Sequence, residues 1–192
     1  MKKRNYNSGY TLMELMVTLS VIGVLTALAM PNTGEYVDDA QVRSASNDLI
    51  SALQISRAEA VGRNSTTTLC KKNEDSNACV TDGGWEQGWL IFVDADRDAT
   101  LDSGEEVIQV HDNITGNVVI NGTSQVADAI TFRANGRTNI SSTQTLMVCD
   151  ERGYGSDARG VVISILGRGS VMKGNESGQD DCLVPAVVVE EG

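Results

Sequence analysis

The stretch from Gly9 to Pro31, GYTLMELMVTLSVIGVLTALAMP, constrains this chain more than any other. As a helix rising about 1.5 Å per residue, Leu12 to Met30 would cross the roughly 30 Å hydrocarbon core of a bilayer. Its one charge is Glu14. Lys2, Lys3 and Arg4 stand ahead of it and read as a flank held on the cytoplasmic side. A secretory signal peptide ends its apolar run at a small-residue cleavage site. Here the small residue, Gly9, comes first, so a cut after it removes the basic leader and keeps the helix. A carboxylate in such a helix costs about 3 kcal/mol on insertion scales and needs a partner. Its alternative is to snorkel to the interface, where the positive end of the helix dipole favours it.

Gly9 before the cut, Tyr10 as the new N-terminus, Glu14 four residues later and Pro31 closing the apolar segment together resemble the leader of type IV pilins and type II secretion pseudopilins. Tyr10 stands where that family usually has Phe. The resemblance implies a prepilin peptidase cutting between Gly9 and Tyr10, N-methylation of Tyr10, and a pairing of Glu14 with the amino terminus of a neighbouring subunit during assembly. It divides the chain into a leader 1–9, a transmembrane and assembly helix 10–31, and a head 32–192.

The head is expected outside the cytoplasm, where cysteines oxidise. Its four cysteines permit three pairings, and metal binding has no C-x-x-C spacing to support it. Cys70 and Cys79 are near enough to staple one loop, and Cys149 with Cys182 ties down the C-terminal segment. Chain entropy gives about 2.7 kcal/mol for the short loop and about 3.8 kcal/mol for the long one. The formal charge is −11, and losing the basic leader makes the remainder more acidic still. An acidic surface repels phosphate backbones and argues against broad nucleic-acid binding.

Past Asn32-Thr33-Gly34, which is expected to break or loosen the helix, Val42, Ala45, Leu49, Ala52, Leu53, Ser56 and Ala60 recur at steps of three and four. This predicts an amphipathic helix over 37–61 with Gly62 as its stop. Beyond it the pattern changes to short strands: 66–70, 89–93, 107–111, 118–120, 129–133, 145–149, 161–166 and 183–189. Asn135-Gly136 reads as a hairpin turn. Pro185 places the last strand on an edge or interrupts it. The fold class is α+β, a long N-terminal helix packed on an antiparallel β-sheet head.

Ser56-Arg57-Ala58-Glu59-Ala60 closing the helix, Gly88-Trp89, the Asp-rich loop after Phe92-Val93, Ile130-Thr131-Phe132 with Gly136-Arg137, Val148-Cys149-Asp150 and Gly167-Arg168 follow in order. That succession resembles the GspH/FimT-type minor pilins and pseudopilins. It implies a structural subunit of a type IV pilus, in its priming or tip complex; a type II secretion minor pseudopilin and a DNA-binding competence pilin are the alternatives. The Cys149–Cys182 pair resembles the stapled loop of the pilus members. Implied partners are other major and minor pilins, the prepilin peptidase and an inner-membrane assembly platform. The implied location is a single pass of the bacterial inner membrane, then the extracellular pilus.

Some relatives bind DNA through a C-terminal Gly-Arg-x-Arg segment. Here Gly167-Arg168-Gly169-Ser170 lacks the second arginine, leaving Arg168 and Lys173, with Arg152 and Arg159, as the candidate contacts among several acids. No enzyme shows itself: His111 is the only histidine, and no Walker loop, nucleophile elbow or zinc motif occurs. Trp85 and Trp89 read as packing residues. No cofactor is required.

One stretch keeps a pointed chemistry. In Asp94 to Glu105, DADRDATLDSGE, Asp94, Asp96, Asp98, Asp102 and Glu105 fall at loop positions one, three, five, nine and twelve, with a Thr100 carbonyl at seven. That is the spacing by which an EF-hand loop wraps Ca²⁺ in hard oxygen ligands. Ala99 stands at position six, where the turn calls for Gly, and the flanks read as strands. The alternative is an acidic, solvated loop whose aspartates favour turns.

Overall fold

The computed structural model describes residues 9–28, 33–177 and 182. Pro31, the leader through Ser8 and the expected strand 183–189 lie outside them. The chain forms two bodies, Met1–Val37 and Asp38–Gly192.

In the first body, helix α1 runs Leu12–Leu28. Thr11 is its N-cap: the Glu14 backbone N–H donates to Thr11 Oγ1 at 3.2 Å. Thr11-Leu12-Met13-Glu14 is therefore a Thr-x-x-Glu start, with an acid in the first turn where the dipole favours one. The helix is apolar all round, and its large side chains from Leu12 to Leu25 are each more than half exposed. Such a helix is built for surroundings other than water. Among the described residues no helix is long and apolar enough to cross a membrane; α1 as described has 17 residues.

Helix α2 runs Thr33–Arg63 and carries both expected interruptions, Gly34 and Gly62, inside it. Its stop is Asn64, at φ 51°. The Ser65 N–H donates to the Ala60 carbonyl at 3.1 Å and the Asn64 N–H to Val61 at 3.3 Å, which is a Schellman closure built on asparagine instead of glycine. Val42, Ala45, Leu49, Ala52, Leu53 and Ala60 are all buried on the face that the periodicity marks. Ser56 joins them because Thr67 donates to its carbonyl at 2.7 Å and lies 3.0 Å from its hydroxyl, so no polar group is left unpaired.

The strands are β1 (Thr67–Lys71), β2 (Trp89–Val93), β3 (Val107–His111), β4 (Val119–Gly122), β5 (Ala129–Phe132), β6 (Gln144–Cys149), β7 (Arg159–Ile163) and β8 (Gly169–Lys173). They make two antiparallel four-stranded sheets, ordered β3-β2-β1-β5 and β4-β6-β7-β8. One core joins the α2 stripe to Leu69, Trp89, Ile91, Ile130 and Phe132 of the first sheet and to Leu146, Val148, Val161 and Ile163 of the second. Alternation on β1 sends Leu69 into that core and Cys70 to the other face. There Cys70, Leu90 and Phe92 form a satellite cluster with Cys79 and Leu101.

The strand expected over 161–166 stops at Ile163. Ser164 to Gly167 is a turn, with the Gly167 N–H on the Ser164 carbonyl at 2.8 Å, and it leads into β8, which the sequence did not announce. Gly167 has φ +74°, and a Cβ there would lie 2.3 Å from the Gly136 carbonyl oxygen. The Gly136-Arg137 and Gly167-Arg168 landmarks are thus two turns stacked on each other. Arg57 locks them, donating from Nε to the same Gly136 carbonyl at 3.0 Å. Disulfides join Cys70 to Cys79 and Cys149 to Cys182.

Candidate functional site

Gly9 and Tyr10 lie ahead of α1 without secondary structure, and both are exposed, Tyr10 at 85%. Glu14 is exposed one turn into α1. A cut after Gly9 would place a new ammonium at the positive end of the α1 dipole, which raises the need for a nearby carboxylate.

In the loop after β2 the structure brings three of the six expected oxygen donors together. Carboxylate atoms of Asp94, Asp96 and Asp98 lie within 4.8 Å of one another. Asp94 is buried and structural: Thr68 Oγ1 donates to it at 2.5 Å, the Arg97 N–H at 2.7 Å and the Ala99 N–H at 3.3 Å. Arg97 and Ala99 take φ of 70° and 63°, so alanine does adopt the left-handed conformation that glycine would take more cheaply. Thr100 N–H closes on Asp98 Oδ1 at 2.7 Å. Glu105 turns both oxygens onto backbone, accepting from Ala95 N–H at 2.8 Å and Asp102 N–H at 3.1 Å. Leu101, at position eight, packs under the loop in the satellite cluster.

Of the candidate cations near Gly167, Lys173 faces Arg159 across β7 and β8, but Arg168 and Arg152 do not join them. Arg168 precedes β8 and Lys173 ends it, so about 13–17 Å of strand separates them. Arg152 is instead the hub of a network that sequence reasoning missed. It reaches Asp39 of α2 at 2.6 Å, Asp150 after β6, and Asp157 at 3.8 Å. Hydrogen bonding from Arg152 holds the Asp150 carboxyl below the usual carboxylate range. Its stabilisation is therefore present at neutral pH and lost as pH falls through that lowered value. Arg159 donates to the carbonyls of Ser156, Asp157 and Ala158.

His111 stacks on Trp89 with ring centroids 4.0 Å apart, and its Nε2 lies 3.9 Å from Asp48 on α2. Gly88, at φ +100°, brings the chain within 2.4 Å of the His111 carbonyl at its Cβ position, which explains the Gly88-Trp89 pair. The fully buried Trp85 donates to Val126 and Ala127 carbonyls. Both tryptophans are packing residues in this arrangement.

Comparison with known proteins bears on these features together. The family model described as type II transport protein GspH matches residues 45–167, and the prokaryotic N-terminal methylation motif matches residues 4–30. A fimbrial protein of Pseudomonas aeruginosa is 33% identical over 110 residues, which cover 57% of this chain and 63% of that protein. A pilin-like protein, PilA1, of Thermus thermophilus is 32% identical over 105 residues, 54% of this chain and 58% of that protein. The chain thus spans less than two thirds of these relatives. The crystal structure of the type IV minor pilin FimU of Pseudomonas aeruginosa superimposes with a TM-score of 0.59 at 22% identity, covering 76% of this chain and 98% of that one. That likeness is one of fold.

Proposed function

The chain belongs to the GspH family, and from that premise we propose that it is a minor pilin, a structural subunit inserted through its N-terminal helix into a type IV pilus, in the priming or tip complex. The observation that carries this is the pairing of a match to the methylation motif with an all-round apolar α1 whose first turn holds the only charge, Glu14. In this reading a prepilin peptidase cuts between Gly9 and Tyr10 and the new terminus is methylated. The segment 10–31 holds the chain in the inner membrane with residues 32–192 on the periplasmic side. Glu14 then pairs with the terminus of a neighbouring pilin as the assembly platform extrudes the filament. The test is recovery of the chain, beginning at Tyr10, in sheared filaments.

A type II secretion pseudopilin obeys the same physics and is favoured by the description of the matching family. Recovery in secretion pseudopili with none in surface pili would select it.

A second property attaches to the loop after β2, where three carboxylates within 4.8 Å repel unless neutralised. We propose that Asp94, Asp96 and Asp98 hold Ca²⁺, with the Thr100 carbonyl, Asp102 and Glu105 completing the set. Glu105, spent on backbone N–H groups, makes the site weak, in the roughly 0.1–1 mM range. Ca²⁺ at about ten times its Kd is expected to stabilise by about 1.4 kcal/mol, raising Tm by about 3–5 °C over chelator. Asp96→Asn should abolish the rise while leaving the Thr68–Asp94 bond intact. Equal melting with Ca²⁺ and with chelator would leave only an acidic loop.

A further inference from the structure

Three connections meet at one end of the first sheet. Thr67 of β1 faces both Val93 of β2 and Phe132 of β5, so residues 64–66, the loop after β2 and the turn after β5 emerge side by side. Between them is an open pocket of about 330 Å³ lined by Asn64, Ser65, Thr66, Arg97, Arg133 and Asn135, with Ala95 and Ala134 beside them. The lining is mixed, and two of its polar side chains are guanidinium groups.

Those guanidinium groups have no partner among the described residues. Arg43, Arg63, Lys71, Lys72 and Arg152 each reach a carboxylate. Arg57 and Arg159 reach backbone carbonyls. Arg97 and Arg133 make no side-chain hydrogen bond or ion pair with any described residue; only their backbone groups are engaged. Arg137 and Arg168, on the two stacked turns next door, are exposed and equally unengaged among the described residues. In a chain with a net charge of −11, four arginines left without a side-chain partner around one pocket are a surplus, and the one other such cation among the described residues, Lys173, stands alone at the far end of β8.

We infer that this pocket receives a carboxylate, the side chain of an aspartate or glutamate presented by an adjoining protein subunit, resting on the subunit role proposed above. Each guanidinium offers a planar fork that matches a carboxylate with two parallel bonds. The amides of Asn64 and Asn135 and the hydroxyls of Ser65 and Thr66 supply neutral donors around it. The footprint selects this occupant over a nucleic-acid backbone. Asp94, Asp96 and Asp98 share the loop with Arg97. Without bound Ca²⁺, duplex DNA, with a charge about every 1.7 Å along its axis, would lie across those acids as well as the pocket. A single acidic side chain meets the arginines and avoids them.

The probe is hexaglutamate, titrated at low salt against the full chain in detergent micelles. Arg97→Glu with Arg133→Glu is expected to weaken binding about tenfold or more, and the milder Arg97→Gln with Arg133→Gln to weaken it less. Lys173→Glu, at the far end of β8, should change it less than about twofold. No binding of hexaglutamate, equal weakening by Lys173→Glu, or tighter binding of duplex DNA at the same ionic strength would overturn the assignment. Peptide binding is read without filaments, so its failure leaves the subunit role standing. Normal peptide binding with no chain in filaments would count against the subunit role instead.

Discussion

Glu14→Val is expected to leave the chain anchored and processed but to cut its recovery in filaments by roughly tenfold or more. Valine removes the about 3 kcal/mol insertion cost of an acid in an apolar helix, so membrane retention holds or improves. On the proposed reading, what disappears is the partner for a neighbouring subunit's cleaved amino terminus, while Thr11 still caps α1. Losing an ion pair in apolar surroundings by even 1.4 kcal/mol is about a tenfold loss in association. Immunoblots of membrane and sheared fractions measure both quantities. Wild-type recovery in filaments would mean that Glu14 serves only as a first-turn acid.

Gly167→Ala is expected to be among the most damaging small substitutions in the head. Two effects add. A left-handed φ of +74° costs an L-residue about 1–2 kcal/mol. The new Cβ would stand 2.3 Å from the Gly136 carbonyl oxygen and 3.4 Å from Arg57 Cδ, forcing apart the stacked turns that Arg57 bridges. A combined loss of about 2–4 kcal/mol corresponds to a fall in Tm of about 5–15 °C for a domain of this size. Gly62→Ala is the control: it lies within α2 with nothing within 4 Å of its Cβ position, and alanine there should be neutral or stabilising. Thermal unfolding by circular dichroism compares them. Equal Tm for the two variants would show that the turns do not bear on each other.

The same pair of glycines shows where the sequence was legible. Gly62 sits near the end of a periodic run and reads as a stop, yet it is an ordinary exposed helical position, and the closure falls on Asn64. Local composition signals an end but not which residue takes the left-handed conformation. Strands β2 and β3 are read at their observed bounds because apolar or β-branched runs sit between clear turn signals. β8 was missed for the opposite reason: GSVMK opens on glycine, and most of its side chains are exposed on a sheet edge, so it carries no burial signal. The overrun of β7 through Ile165 and Leu166 has the same origin, since apolarity favours continuation while Gly167 dictates the turn. The division into two sheets is set by which strands pair, and no local pattern contains that.

The sites divide along the same line. The residues proposed for processing and assembly are consecutive or about one helical turn apart, so their resemblance to a pilin leader is visible in the sequence. Asp94, Asp96 and Asp98 lie in one loop, so their alternation was visible, whereas the turning of Glu105 onto Ala95 and Asp102 was not. Arg97 and Arg133 meet only because β1 lies between β2 and β5, and the Arg152 network needs α2 beside the end of β6. Their sequence neighbours gave no signal of either encounter.

The central claim, that this is a processed pilin subunit, is tested most directly by the intact mass and N-terminal sequence of the chain recovered from sheared filaments. The account predicts a chain that begins at Tyr10, is one methyl group heavier than its sequence, and retains the whole segment from Thr11 to Pro31. A filament-borne chain that begins at Met1, or one cut after the apolar segment, would contradict it.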